Sequence, residues 1–131
     1  MDKKDKVIVI DLDGTLCYTK EKSENYSEVR PNIDVINKLI EYRKKGYYII
    51  IYTSRNMNTY NNNLGLINKN TAKIIFEWLE KFKIPYDEIY FGKPWCGFKG
   101  FYIDDKAIRP NEFLEFTEEE INNLILTKNK K

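Results

Sequence analysis

The sequence predicts an α/β fold: a three-layer α/β/α, Rossmann-like core with a mostly parallel sheet, in one domain over residues 1–131. Three observations predict it. Short, β-branched apolar runs at Val7–Ile10 and Tyr47–Tyr52 alternate with segments of helical period. The first run is apolar at every position, as in a parallel strand covered on both faces. Each run also ends abruptly in polar residues, where open parallel sheets present their ligand-binding groups.

The elements follow in order. Met1–Lys6 is charged and leads into an apolar run too short for a signal segment. No stretch approaches membrane-spanning length, so a cytoplasmic protein is expected. After the strand at Val7–Ile10 comes Asp11-Leu12-Asp13-Gly14-Thr15-Leu16. Residues 17–30 are polar apart from Tyr18 and Tyr26 and read as a loop or small flap. Pro31-Asn32 opens a helix with Ile33, Ile36, Leu39, Ile40 and Arg43 on one stripe, and Gly46 follows its basic last turn. Tyr47–Tyr52 is the second strand and ends in Thr53-Ser54-Arg55. Asn56–Asn70 is rich in asparagine and reads as one long loop.

Thr71 is placed to cap the next helix, whose apolar face is Ile74, Ile75, Trp78, Leu79 and Phe82. Glu88–Phe91 is a short strand, followed by a loop carrying Lys93. Phe101-Tyr102-Ile103 reads as a fourth strand, ending in Asp104-Asp105. Pro110 reads as a break, and Thr117-Glu118-Glu119-Glu120 as a capping box for a last helix. No large cap domain is expected; residues 17–30 and 56–70 are the candidate segments to cover a site.

Composition narrows the chemistry. A net charge of +2 favours neither nucleic acid nor a membrane surface as partner. The absence of histidine excludes histidine zinc sites, Ser-His-Asp triads and histidine phosphotransfer. Two cysteines, Cys17 and Cys96, have no metal-ligand spacing and read as free thiols of a reducing compartment.

The polar strand ends carry the functional reading. Asp11 and Asp13 lie two apart, so they point the same way while Leu12 turns back to the core. Gly14 allows close backbone approach, and Thr15 adds a hydroxyl. In a parallel sheet, Asp11 with Asp13, Thr53 with Ser54, Lys93, and Asp104 with Asp105 all fall at one edge. Oxygen donors without histidine or a thiolate set favour Mg²⁺ over zinc. A phosphate monoester is a dianion, so a carboxylate nucleophile needs a metal and a lysine to neutralise it.

The string DLDGTL, with these partners in order, resembles the haloacid dehalogenase superfamily, whose members are mostly magnesium-dependent phosphatases acting through an aspartyl-phosphate. The resemblance spans Asp11 to Asp105. It implies Asp11 as nucleophile and Asp13 as general acid/base whose carbonyl also binds metal. It implies a phosphate-binding set of Leu12, Thr53, Ser54, Arg55 and Lys93, and metal ligation by Asp11, Asp13, Asp104 and Asp105. Of the last pair, Asp104 is expected to be the direct ligand. The strings TSRNMNTY, IIFEWLEKFKIPYDEIYFGKPWCG and GFYIDDKAIRP further resemble small phosphatases of bacterial capsular polysaccharide loci. That likeness implies a small phosphorylated metabolite as substrate: a sugar phosphate, or a short polyol or amino-alcohol phosphate.

Several residues have plainer readings. Lys99 reads as a surface residue, Arg55 and Arg109 as structural ion pairs, and Trp95 as packing. A phospho-receiver domain uses similar parts, but its acid pair comes first and its acceptor Asp lies mid-chain, unlike this order. A non-catalytic domain binding phosphorylated ligands would keep every side chain and is separated only by assay. A site this open accepts bulky substrates or is closed by a neighbouring subunit, so a homo-oligomer is expected.

Overall fold

A computed structural model describes residues 5–128; Met1–Lys4 and the tail at 129–131 lie outside the described residues. The chain divides into two compact units, Met1–Trp95 and Cys96–Lys131.

The first unit holds a parallel sheet of β1 (Val7–Ile10), β2 (Tyr48–Thr53) and β3 (Glu88–Phe91), in the order β1-β2-β3. The α/β class read from the sequence holds. Thr53 lies beside Phe91, so β2 and β3 end level, and Ile10 lies beside Ile51, so β1 ends two residues short of them. Parallel strands need long crossovers. Helix α1 (Ile33–Lys44) joins β1 to β2, and α2 (Leu64–Asn70) with α3 (Ala72–Lys81) joins β2 to β3. Burial alternates along β2: Ile49, Ile51 and Thr53 are buried, and the residues between them are half-buried. One expectation fails at β1. Val7 and Val9 are 39% and 60% exposed, although the strand is apolar throughout. Among the described residues, β1 is an edge strand of the sheet.

Local signals explain the helices. Asn32 Oδ1 accepts from the Val35 N–H at 3.4 Å, and Arg43 and Lys44 complement the carboxyl end of α1. Its buried face is Val35, Ile36, Leu39 and Tyr42, while Ile33 is exposed. The stripe is therefore rotated from the one expected, because Ile33 sits in the solvent-facing first turn. In α3, Ile75, Trp78 and Leu79 are buried as expected. Thr71 precedes α3 but makes no cap; its hydroxyl donates to Asn56 Oδ1 at 2.7 Å. Trp78 Nε1 donates to the Val29 carbonyl at 2.9 Å, tying the 17–30 segment to α3.

The asparagine-rich stretch is not one loop. Asn56, Asn61 and Asn62 have positive φ, which asparagine tolerates well, and they form successive turns. Asn63 Oδ1 then accepts from the Leu66 N–H at 3.1 Å and starts α2, which buries Ile67. Asparagine is here a turn and cap residue rather than a sign of disorder.

The second unit contains α4 (Pro110–Glu115) and α5 (Glu118–Lys128). Pro110 starts a helix rather than breaking one, since the first helical turn does not use its missing N–H. The capping box forms: Thr117 Oγ accepts from the Glu120 N–H at 3.1 Å, and Glu120 Oε1 accepts from the Thr117 N–H at 2.9 Å. Phe101–Ile103 forms no strand, contrary to expectation. Three residues form a strand only where a neighbouring strand pairs with them, and none does so among the described residues.

Asp87 fixes the start of β3. Its N–H donates to the Ile49 carbonyl at 2.8 Å, and its carboxylate accepts from the Ile49 N–H at 2.8 Å and from Arg43 Nη1 at 2.8 and 3.0 Å. Asp87→Ala leaves a buried main-chain donor without its acceptor and is expected to cost about 1–3 kcal/mol. Denaturant titration checks this; an unchanged midpoint would show that the pin contributes nothing.

Candidate active site

Asp11 follows the last residue of β1, and its carboxylate is built on from three sides. Thr15 Oγ donates to Oδ2 at 3.2 Å, and Lys93 Nζ lies 3.7 Å from Oδ1. The Leu12 N–H also reaches it. Gly14, at φ +86°, folds the chain back so that the N–H groups of Thr15, Leu16 and Cys17 all meet the buried Leu12 carbonyl. That tight turn keeps Thr15 beside Asp11. Burial pushes the Asp11 carboxyl above the usual carboxylate range, and neighbouring Asp13 adds to the rise. Lys93, the Leu12 N–H and Thr15 pull the other way without cancelling it.

Asp13 is held by Arg55. Arg55 Nε donates to Oδ2 at 3.0 Å and Nη2 to Oδ1 at 2.8 Å, a two-point fork. The guanidinium is buried, stacks on the Tyr26 ring at 4.3 Å, and leaves Nη1 without a hydrogen-bond partner among the described residues. Arg55 is thus the ion pair expected of it, and its partner is Asp13. Cys17 is buried beside them and donates to Asp13 Oδ1 at 3.4 Å. Burial, with Asp13 next to it, pushes the Cys17 thiol up to about 12, so it stays a thiol. The sequence reading gave Tyr26 and Cys17 no part here. The one available signal was Tyr26 itself, an aromatic stranded in a polar segment.

Thr53 ends β2 and is buried; its Oγ accepts from the Arg55 N–H at 3.1 Å. Ser54 continues the turn, its carbonyl accepting from the Met57 N–H at 3.0 Å. Lys93 is anchored to the same strand end, its N–H donating to the Thr53 carbonyl at 3.1 Å. Gly92 makes this possible: it has φ +90°, and a Cβ there would lie 2.7 Å from Leu64 Cδ2. Asp11, Leu12, Asp13, Thr53, Ser54, Arg55 and Lys93 therefore stand together at the ends of the three strands. Asp104 and Asp105 belong to the second unit, where Asp104 Oδ1 accepts from the Lys106 N–H at 2.9 Å. Among the described residues, no three His, Cys, Asp or Glu side chains gather as a cation site. Lys99 and Arg109 are exposed, and Trp95 is half-buried.

A family model described as NLI interacting factor-like phosphatase matches residues 6–91, which include this strand-end cluster except Lys93. The chain belongs to that family of HAD-type phosphatases. The crystal structure of a target protein from Vibrio cholerae is 50% identical, with a TM-score of 0.90 over 95% of this chain and 99% of that one. Two structures of a Pnkp1/Rnl/Hen1 complex, the second described as an RNA repair complex, are 25% and 18% identical, with TM-scores of 0.48 and 0.49. They are covered over 33% and 35% of their own chains. No curated protein matches the chain. No helix among the described residues is long and apolar enough to cross a membrane.

Two predictions test the roles expected of these residues. Lys93→Ala is expected to lower turnover about 10²–10³-fold, as for loss of one preorganised charge contact. Lys99→Ala is expected to change it little, because Lys99 lies in an exposed turn. Steady-state rates check this, and equal losses would assign the wrong lysine.

The second prediction concerns stability. A carboxyl raised by burial is costly when charged, so it weakens the fold in full above its folded-state pKa, and the penalty fades as pH falls from there to the ordinary carboxylate range. Asp11→Asn is therefore expected to stabilise the metal-free chain at neutral pH, with the gain shrinking as pH falls into the acid range. A loss of stability at neutral pH would contradict this sign.

Proposed function

We propose that the chain is a Mg²⁺-dependent phosphatase that hydrolyses a small phosphate monoester through a phosphorylated Asp11. The observation that carries this is the Lys93 ammonium 3.7 Å from the Asp11 carboxylate at the carboxyl ends of parallel strands. Positive charge is thus fixed where a dianion must approach an anion. The donor set fits a hard cation, since it is all oxygen. Asp11, the Asp13 carbonyl, Asp104 and Asp105 would hold Mg²⁺, which when bound neutralises phosphate charge.

In the proposed reaction, an Asp11 oxygen attacks phosphorus and the bond to the leaving oxygen breaks. Asp13 gives that oxygen a proton, exchanging one Arg55 hydrogen bond to do so. Asp13 then takes a proton from water, whose oxygen attacks phosphorus, freeing phosphate and restoring Asp11. Thr53 accepts from the Arg55 N–H, which leaves its own O–H to donate to a phosphoryl oxygen. Ser54 and the Leu12 main chain flank the same position. The likeness to capsular-locus phosphatases supports a cytoplasmic role on a phosphorylated sugar, polyol or amino-alcohol precursor of capsule.

Hydrolysis of a generic aryl phosphate tests this reading. Activity is expected with Mg²⁺, to vanish on exhaustive chelation and in Asp11→Asn, and a panel of such phosphates is expected to yield the substrate. Undiminished activity after chelation would overturn the metal dependence. Binding of phosphorylated ligands without turnover would favour the non-catalytic reading instead.

A further inference from the structure

The 17–30 flap carries an aromatic that the proposed reaction does not use. Tyr26 opens a short 3-10 helical turn, Tyr26–Glu28, and the chain around it is fixed. The base of the flap is closed: the Tyr18 N–H donates to the Arg30 carbonyl at 2.9 Å, and the Asn32 N–H to the Leu16 carbonyl at 2.8 Å. The turn packs on α3, and Trp78 pins the chain beyond it at Val29. The turn also closes on itself, with the Glu28 N–H donating to the Asn25 carbonyl at 2.9 Å and the Asn25 N–H to Glu28 Oε1 at 3.2 Å. This scaffold holds the Tyr26 ring 4.3 Å from the Arg55 guanidinium.

The ring makes the contact, not the hydroxyl. Lys20 Nζ lies 5.4 Å from the same ring, and the hydroxyl takes part in no hydrogen bond among the described residues. The ion pair beside the ring is unequal. The Arg55 side chain is 1% exposed, and that of Asp13 is 29% exposed. The acid thus opens to reactants while its support is sealed. That support is narrow: Asp13 Oδ1 accepts from Arg55 Nη2 and Cys17 Sγ, and Oδ2 accepts from Arg55 Nε. A guanidinium under an aromatic face keeps its fork, whereas an ion pair in water is held weakly. Arg55 Nη1 has no hydrogen-bond partner among the described residues. Water admitted by loss of the ring would hydrate that nitrogen and loosen the plane on which both Asp13 oxygens depend.

We infer that Tyr26 is a positioning residue of the proposed reaction. Its ring covers the Arg55 guanidinium and so fixes the direction in which Asp13 gives and takes its proton, without touching a reacting atom. The inference rests on the proposed acid/base role of Asp13. In the first step Asp13 protonates the leaving oxygen, so dependence on Tyr26 grows with that oxygen's need for a proton. A nitrophenolate leaves without one, and an unsubstituted phenolate leaves poorly without one.

The test uses kcat/KM, which reports the steps up to loss of the leaving group, for para-nitrophenyl phosphate and for phenyl phosphate. These differ in leaving-group basicity and little in shape. Misplacing a reacting group slightly costs up to about 10²-fold. Tyr26→Ala is therefore expected to lower kcat/KM about 10–10²-fold on phenyl phosphate and little on para-nitrophenyl phosphate. Tyr26→Phe, which keeps the ring, is expected to restore both rates, and Asp13→Asn to show the same split more steeply. Equal losses on the two substrates in Tyr26→Ala would make the ring a wall or a prop of the flap and overturn the inference. No loss in Tyr26→Ala, or a Tyr26→Phe as impaired as Tyr26→Ala, would overturn it too. A split in Asp13→Asn without one in Tyr26→Ala overturns this inference alone. An Asp13→Asn without a split refutes the acid/base role, and the inference falls with it.

A second measurement needs no turnover. The Arg55 Nε–H gives a side-chain NMR signal, assigned by its loss in Arg55→Lys. Its exchange with water is expected to be slow in the wild type and in Tyr26→Phe, and at least about tenfold faster in Tyr26→Ala. Equal exchange in all three would show that the ring seals nothing and would overturn the inference.

Discussion

A carboxylate must stand at the end of an apolar strand, and the rest of the first unit is arranged to tolerate it. Burial works against the charge on Asp11, and the offsets are local: Lys93, Thr15 and the Leu12 N–H. Each offset depends on backbone that little else in the sequence would dictate. Thr15 reaches Asp11 because Gly14 takes a positive φ, and Lys93 reaches it because Gly92 does and because the Lys93 N–H is tied to the end of β2. The parallel register of the strands turns three distant segments into one cluster. The residual imbalance, a carboxyl still raised, is what a positively charged ligand would relieve.

The Arg55–Asp13 fork divides the labour of the two acids. Asp11 faces a point charge at 3.7 Å, a loose partner that would leave it free for the proposed attack. Asp13 faces a planar, buried guanidinium that fixes both of its oxygens. Lysine at position 55 could not reproduce that fork, because an ammonium has no planar pair of donors. In the proposed cycle the fork orients Asp13 and returns it to one position after each proton transfer. Tyr26 stacks on the guanidinium, and Trp78 holds the same segment at Val29, so the 17–30 flap packs against the acid pair's support.

Much of this was legible in the sequence because it rests on short-range rules. Short β-branched or aromatic apolar runs located the three strands paired among the described residues, helical spacing located α1 and α3, a capping box located α5, and the turn to polar residues at each strand end located Asp11, Thr53 and Lys93. What escaped depends on context. Asparagine in Asn56–Asn70 reads as loop by composition, yet Asn63 caps a helix whose single buried anchor, Ile67, is too sparse a pattern to see. Pro110 breaks a helix or starts one according to what precedes it. Phe101–Ile103 has strand composition, but a strand is a pairing rather than a segment. The Arg55–Asp13 fork joins residues 42 apart, and nothing in either string announces it.

The central claim is that Asp11 becomes covalently phosphorylated. Intact-protein mass spectrometry of Asp13→Asn, mixed with Mg²⁺ and an aryl phosphate whose leaving group needs no proton, tests it most directly. That variant keeps the nucleophile but lacks the base for the second step, and its overall rate is expected to fall roughly 10²–10⁴-fold. Asp13→Asn is predicted to gain the mass of one phosphoryl group, to lose it to hydroxylamine, and to yield it on the peptide bearing Asp11. Turnover by Asp11→Asn, or an Asp13→Asn chain that never gains that mass while product forms, would contradict the covalent mechanism.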